Sequence, residues 1–201
     1  MTELNRISYN EARGQIKNAD LLLFRPRGAL WWRAIAVAGR SEYTHAGMAG
    51  WWGGRLMNIE MTFGGGRAQL LSNVVARWPG VIDVYAANAT RRRFSRERAL
   101  QAMISITGKP YGKWNLFRAS LYHTPLLRFM VPPDMNDTES SNWPLFCSQA
   151  ASIAYRLGGV DPVPNLTDRL TEPGDLARSS FFQYRFTLMP RREEGPMFNV
   201  Q

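Results

Sequence analysis

The chain has 201 residues, 45% of them apolar and 20% charged, a balance typical of a globular protein long enough to fill one core. No apolar run reaches the ~18 residues of a membrane span, and a single cysteine, Cys147, excludes an internal disulfide. The formal charge of +9 comes mostly from arginine, since Lys17, Lys109 and Lys113 are the only lysines; it favours anionic partners, but no nucleic-acid-binding motif accompanies it, so no specific nucleic acid is expected.

Taken in chain order, the first twenty residues lack the basic start, apolar middle and small-residue cleavage site of a secretory signal. The expectation is a chain that is cytoplasmic as made and reaches any other place by another route. Ser8, three residues before Glu11, has capping-box spacing and predicts a short first helix. Residues 20–26, DLLLFRP, read as a buried strand closed by Pro26, and residues 29–39 as a helix ending at Gly39. Residues 43–52 and 55–63 read as a hairpin about Gly53-Gly54, a dipeptide that tolerates positive φ. The following FGGGRAQ lacks the Lys-Ser/Thr ending of a phosphate loop and reads as a mobile loop near the candidate site.

Residues 80–87 predict a further strand, and 95–108 a helix capped by Ser95 and stopped at Gly108. A Pro- and aromatic-rich stretch without clean period follows. It reads as an irregular insertion, about 112–143, inside a single domain spanning 1–201. Next comes a helix with Cys147 in its first turn, ended by Gly158-Gly159. TEPGDLARS (171–179) reads as a loop, and 181–190 as a final strand before a short C-terminal tail. The fold class is α+β, an antiparallel sheet packed against the cysteine helix.

The position of Cys147 matters because unfilled backbone N–H groups and the helix dipole at an N-terminus favour a thiolate. The same N–H groups can hold an oxyanion. The other reading is a small buried hydrophobe. A nucleophilic cysteine needs a base, and the chain offers His45, on a predicted strand, and His123, in the irregular insertion. His45 is preferred, because a regular strand holds an imidazole in place better than an insertion does. Glu60, amid apolar neighbours on the adjacent strand, is the candidate to orient that imidazole, with Asn58 on the same face as a substitute; Glu60 facing water is the alternative. One cysteine and two distant histidines give no metal-ligand spacing, and no cofactor is expected.

The ordered set ADLLLFRP, SEYTHAGM, LMNIEM, GKPYGKWNLF, LFCSQAA and TEPGDLARS resembles the circularly permuted branch of the NlpC-type papain-like peptidases. This is the YiiX/YaeF-like group, related also to lecithin retinol acyltransferase, in which the histidine strand precedes the cysteine helix. The resemblance runs from about Asp20 to Phe182 and implies a permuted papain-like fold facing His45 and Glu60 towards the cysteine helix. It implies Cys147 as nucleophile, His45 as base and Glu60 as the acidic partner. Thr44 and Ser148, which match the residues flanking base and nucleophile, and Tyr111 of Gly-Lys-Pro-Tyr are the implied substrate-binding residues; Gly112 departs from the acidic residue usual there. The implied activity is hydrolysis of, or acyl transfer from, an amide or ester through a thioester, foremost in peptidoglycan stem peptides; without a signal peptide, the route expected there is lysis or carriage as a phage tail component. The alternatives are an acyltransferase or thioesterase on lipid-like substrates, and a non-catalytic assembly protein keeping the fold. Exposed Trp31, Trp32, Trp51 and Trp52 would favour the lipid-like substrates.

Overall fold

The computed structural model describes residues 5–26, 41–88, 93–112 and 145–189. The helix expected at 29–39, most of the 112–143 insertion with His123, and the C-terminal tail lie outside the described residues.

The described residues form a seven-stranded sheet whose elements start and turn at local signals in the sequence. Ser8 Oγ accepts from the Glu11 N–H (3.4 Å) and Glu11 Oε2 accepts from the Ser8 N–H (3.0 Å), which starts α1 (Tyr9–Ala12) directly after a short strand, β1 (Arg6–Ser8). The apolar run forms β2 (Leu21–Pro26), buried over its first four residues. β3 (His45–Trp52) and β4 (Arg55–Thr62) make the expected hairpin, turning where Gly53 and Gly54 have φ of 58° and 73°. β6 (Gly80–Ala87) and β7 (Phe182–Met189) complete the expected strands.

The glycine-rich segment departs from expectation. It is not a mobile loop but an edge strand, β5 (Gly65–Leu70), paired antiparallel with β4 and running into a helix, α2 (Leu71–Arg77). The reason is steric. The Gly66 N–H donates to Lys109 O and the Gly108 N–H to Gly66 O, both at 2.8 Å, so the chain leading to Tyr111 is laced onto this edge. A Cβ on Gly66 would strike the Ile106 carbonyl, and one on Gly65 would come within 2.6 Å of Lys109 O. TEPGDLARS also differs, because Pro173 occupies the first turn of α5 (Pro173–Arg178), where its missing N–H costs nothing. Glu172 and Asp175 cap that helix reciprocally.

Strand order is β1-β7-β6-β2-β3-β4-β5. Every pairing is antiparallel except β1 with β7, which is parallel, so the sheet is mixed rather than purely antiparallel. Alternation along the strands builds two cores. Leu21, Leu23, Ala46, Met48, Ile59 and Met61 face α3 (Arg96–Ile104) and α4 (Cys147–Leu157). Leu22, Phe24, Ala49, Leu56, Ile82 and Val84 face α1 and α2. Small residues set the closeness of α4: Ala150, Ala151 and Ala154 are almost fully buried over this sheet face. Ser95 Oγ caps α3 by accepting from the Arg98 N–H at 3.2 Å.

Gly66→Ala is expected to lower unfolding free energy by about 1–3 kcal/mol, because the obstacle is backbone that cannot rotate away. Gly64→Ala is the control, since a Cβ there meets only Thr62 Oγ1 at 3.8 Å. Chemical denaturation of the two variants beside the unsubstituted chain checks the difference.

Candidate active site

Cys147 is the first residue of α4, and no side chain caps that helix at Phe146. The first intrahelical bond runs from the Ala150 N–H to Phe146 O, so the N–H groups of Cys147 and Ser148 lie outside the helical ladder. The Ser148 N–H turns to the Cys147 sulfur, and the Ala46 N–H reaches it from β3. Ala46 can do so because β3–β4 pairing stops one residue earlier along the hairpin, at Gly47 opposite Glu60. The thiol is nearly buried, at 5% exposure.

The remaining groups come from the β3–β4 hairpin. His45 begins β3, and its Nε2 lies 2.7 Å from Glu60 Oε2, which leaves Nδ1 for the hydrogen bond that joins the ring to Cys147. Phe24 packs edge-on against the His45 ring, centroids 5.0 Å apart, and fixes its plane. Glu60 is buried, and its other oxygen, Oε1, accepts from Arg67 Nε at 2.8 Å and Nη2 at 2.7 Å. Arg67 stands directly opposite Glu60 in the β4–β5 register. Asn58, two residues back and fully buried, also lies close enough to favour the carboxylate.

His45 and Glu60 alternate with the residues that pack beneath α4, so they do not face the body of the helix as expected. The meeting with Cys147 occurs at the helix N-terminus, beside the first residue of β3. Tyr111 approaches from the other side, bridged to Leu145 and packed against Phe146 and Cys147. The Ser148 side chain is fully buried and the Thr44 hydroxyl is shut from solvent, and neither hydroxyl has a hydrogen-bond partner among the described residues. Phe63, 73% exposed, lays its ring 4.8 Å from that of Tyr111. Trp51 is held by its indole N–H to Ile16 O at 2.9 Å and is stacked under Arg13, whereas Trp52 is half exposed. Trp31 and Trp32 lie outside the described residues.

These contacts determine the charge states. Burial alone would lower the His45 pKa, but the Cys147 thiolate and the Glu60 carboxylate outweigh it and raise it to about 10. For Glu60, burial opposes ionisation, yet His45, Arg67 and Asn58 hold it at about 2. Burial likewise pushes the Cys147 thiol up, and the His45 charge with the Ala46 and Ser148 N–H groups brings it below its ordinary value. Both shifts run in the direction that favours a thiolate–imidazolium pair over the neutral thiol and imidazole. Tyr111 is raised by burial and by the nearby sulfur, so its hydroxyl keeps its proton and can donate.

Arg67 escaped the sequence reading. It lies seven residues after Glu60 across a Gly-rich turn, which is hairpin spacing, and reading that turn as a hairpin would have found it. A second polar cluster was also missed: Asp83, fully buried on β6, is bonded to Arg25, Tyr43 and Thr187.

No protein-family model matches the chain, and no curated protein matches it. A crystal structure of the metalloprotein YiiX from Escherichia coli O157:H7 is similar, with a TM-score of 0.59 at 14% identity. The match covers 88% of this chain and 99% of that one. The chain thus has a YiiX-like α+β fold. Among the described residues no three His, Cys, Asp or Glu side chains are grouped to hold a metal ion, and no helix is long and apolar enough to cross a membrane.

The sign of the pH dependence follows from Glu60. Its folded pKa lies below the ordinary 4.5, so its stabilising contribution is complete above about pH 4.5 and is lost as pH falls towards about 2. Glu60→Gln is expected to flatten that acid limb, checked by unfolding free energies from pH 7 to 3. His45, raised, contributes stability below about pH 6.5 that fades as pH rises to about 10.

Proposed function

We propose that this protein is a cysteine hydrolase of the permuted papain-like type, cleaving an amide bond through a thioester on Cys147. The observation that carries the reading is the aligned set at the α4 N-terminus: a sulfur bonded to His45, whose far nitrogen is 2.7 Å from a buried Glu60. The His45 strand precedes the Cys147 helix in sequence, as a permuted member requires.

In this mechanism the Cys147 thiolate attacks the carbonyl carbon, and the C=O electron pair moves to oxygen. The Cys147 N–H and the Tyr111 hydroxyl are the donors for that oxyanion. His45, as imidazolium, passes its Nδ1 proton to the leaving nitrogen, so the C–N bond breaks and the amine departs. Neutral His45 then takes a proton from water, whose oxygen attacks the thioester. The C–S bond breaks, the acid is released and the thiolate–imidazolium pair is restored. Glu60 accepts from His45 Nε2 throughout and holds the tautomer.

The proposed substrate is a peptide bond in peptidoglycan stem peptides, an anionic polymer suited to a chain of charge +9. Lysis or carriage in a phage tail would bring the protein to it. One observation favours a second reading, acyl transfer or thioester hydrolysis on a lipid-like substrate: Phe63 leaves an apolar ring exposed beside Tyr111.

The test is digestion of purified peptidoglycan, and separately of acyl thioesters, with products identified by mass. Cys147→Ala and His45→Ala are each expected to lose at least about a thousandfold in kcat/KM with folding intact. Glu60→Gln should lose less, because an amide still orients the ring. Tyr111→Phe should cost about tenfold to a hundredfold, as loss of one oxyanion donor. His123→Gln is expected to stay within about tenfold, about 1.4 kcal/mol of barrier. Equal turnover by the unsubstituted chain and Cys147→Ala sinks the thioester route, and no turnover on either substrate favours an assembly role.

A further inference from the structure

The polar residues behind the candidate site form a row that crosses three strands. His45 lies on β3, Glu60 on β4 and Arg67 on β5, with Glu60 and Arg67 directly paired and Cys147 at the His45 end. β5 is the edge of the sheet, so the row runs from a buried sulfur to a half-exposed guanidinium. Written as charges it alternates: thiolate, imidazolium, carboxylate, guanidinium. The four sum to zero.

We propose that Arg67 is a positioning residue that acts through Glu60: it closes this row, fixes the carboxylate on His45 and keeps the Cys147–His45 ion pair formed at neutral pH. This rests on the Cys147–His45 reading above. Three observations support it. Both contacting nitrogens of Arg67 go to Oε1 alone, which leaves Oε2 for the imidazole. The Glu60 side chain is only 3% exposed, so without a cation it would stand as a buried charge shared with one partner. Arg67 is itself steadied by Gln69, two residues on along the same face. The carboxamide orientation that satisfies both groups brings its oxygen 3.0 Å from Arg67 Nη1 and 3.2 Å from Nε.

Removing the guanidinium leaves two negative charges and one positive in a poorly hydrated site. A thiolate is then harder to form, and a carboxylate with one fewer donor is easier to protonate or turn. Among the described residues, the charged and titratable groups facing the row are Cys147 from α4, His45 from β3, Glu60 from β4, Arg67 from β5, and Tyr111 from the segment before α4. Tyr111 stays protonated and supplies no competing charge.

The experiment is the pH profile of Cys147 alkylation by iodoacetamide in the full chain, which needs no substrate. The unsubstituted chain should show a midpoint well below the ordinary thiol value of about 8.5. Arg67→Met should raise that midpoint by about one unit, a roughly tenfold loss of rate on the acid limb. Arg67→Gln, which keeps donors without charge, should behave like Arg67→Met should the latter fold poorly, and Arg67→Lys should restore most of the shift. In a Glu60→Gln background the same Arg67→Met change should move the midpoint far less, because the carboxylate through which it acts is gone. A midpoint that Arg67→Met and Arg67→Gln leave in place, even with lowered thermal stability, overturns the proposal, as does an equal shift in the Glu60→Gln background. An ordinary thiol midpoint in the unsubstituted chain would instead overturn the Cys147–His45 reading.

Discussion

A carboxylate with 3% of its side chain exposed is the constraint around which the site is organised. Ionised Glu60 costs several kcal/mol to bury unless oppositely charged and hydrogen-bonded partners meet both its oxygens. His45 meets one and Arg67 the other, and each must come from a neighbouring strand in one register. A slip of β4 by one residue would turn Glu60 to the face that α3 and α4 cover and turn Ile59 and Met61 away from it. The β3–β4–β5 register and the charge row therefore specify each other.

Small residues deliver the sulfur to this row. Ala46 on β3 and Ala150, Ala151 and Ala154 on α4 let that helix lie close to the sheet, and Gly50 on β3 does the same for α3. Gly50 has no room for more, since a Cβ would meet the Leu100 side chain. Gly65 and Gly66 do the same at the sheet edge, where they accept the backbone that leads to Tyr111. Glycine is thus used here for close approach more than for turning. On the far side of the sheet centre, Asp83 binds Arg25, Tyr43 and Thr187, which secures the chain just before His45.

The similarity to YiiX bears on the fold and not on chemistry. At 14% identity the shared feature is the path of the chain, and folds of one path carry unrelated sites. What argues for thiol chemistry is local: an uncapped helix N-terminus, a sulfur with two backbone donors, and an imidazole held at both nitrogens. The metal of the metalloprotein YiiX belongs to that protein.

The sequence by itself determined the elements whose signals are local. The capping box at Ser8, the Gly53-Gly54 turn, the Ser95 cap and the Gly158-Gly159 stop each depend on residues within one turn of one another, so they could be read without the fold. Cys147, His45 and Glu60 could be singled out as residue types that buried or terminal positions make conspicuous. Where the signal was steric or long-range it could not be read. FGGGRAQ looked like a loop because glycine usually marks one, and only the backbone of Ile106 and Lys109 against it explains a strand. Pro-Gly in TEPGDLARS suggested a turn, although Glu172 and Asp175 cap a helix there. Tertiary structure alone decided that Arg67 stands opposite Glu60, that the Ser148 N–H turns to the Cys147 sulfur, and that Cys147 meets His45 at the helix tip. The physical reason is that strand register and helix docking are fixed by burying two sheet faces at once, a condition on the whole chain and not on any short stretch of it.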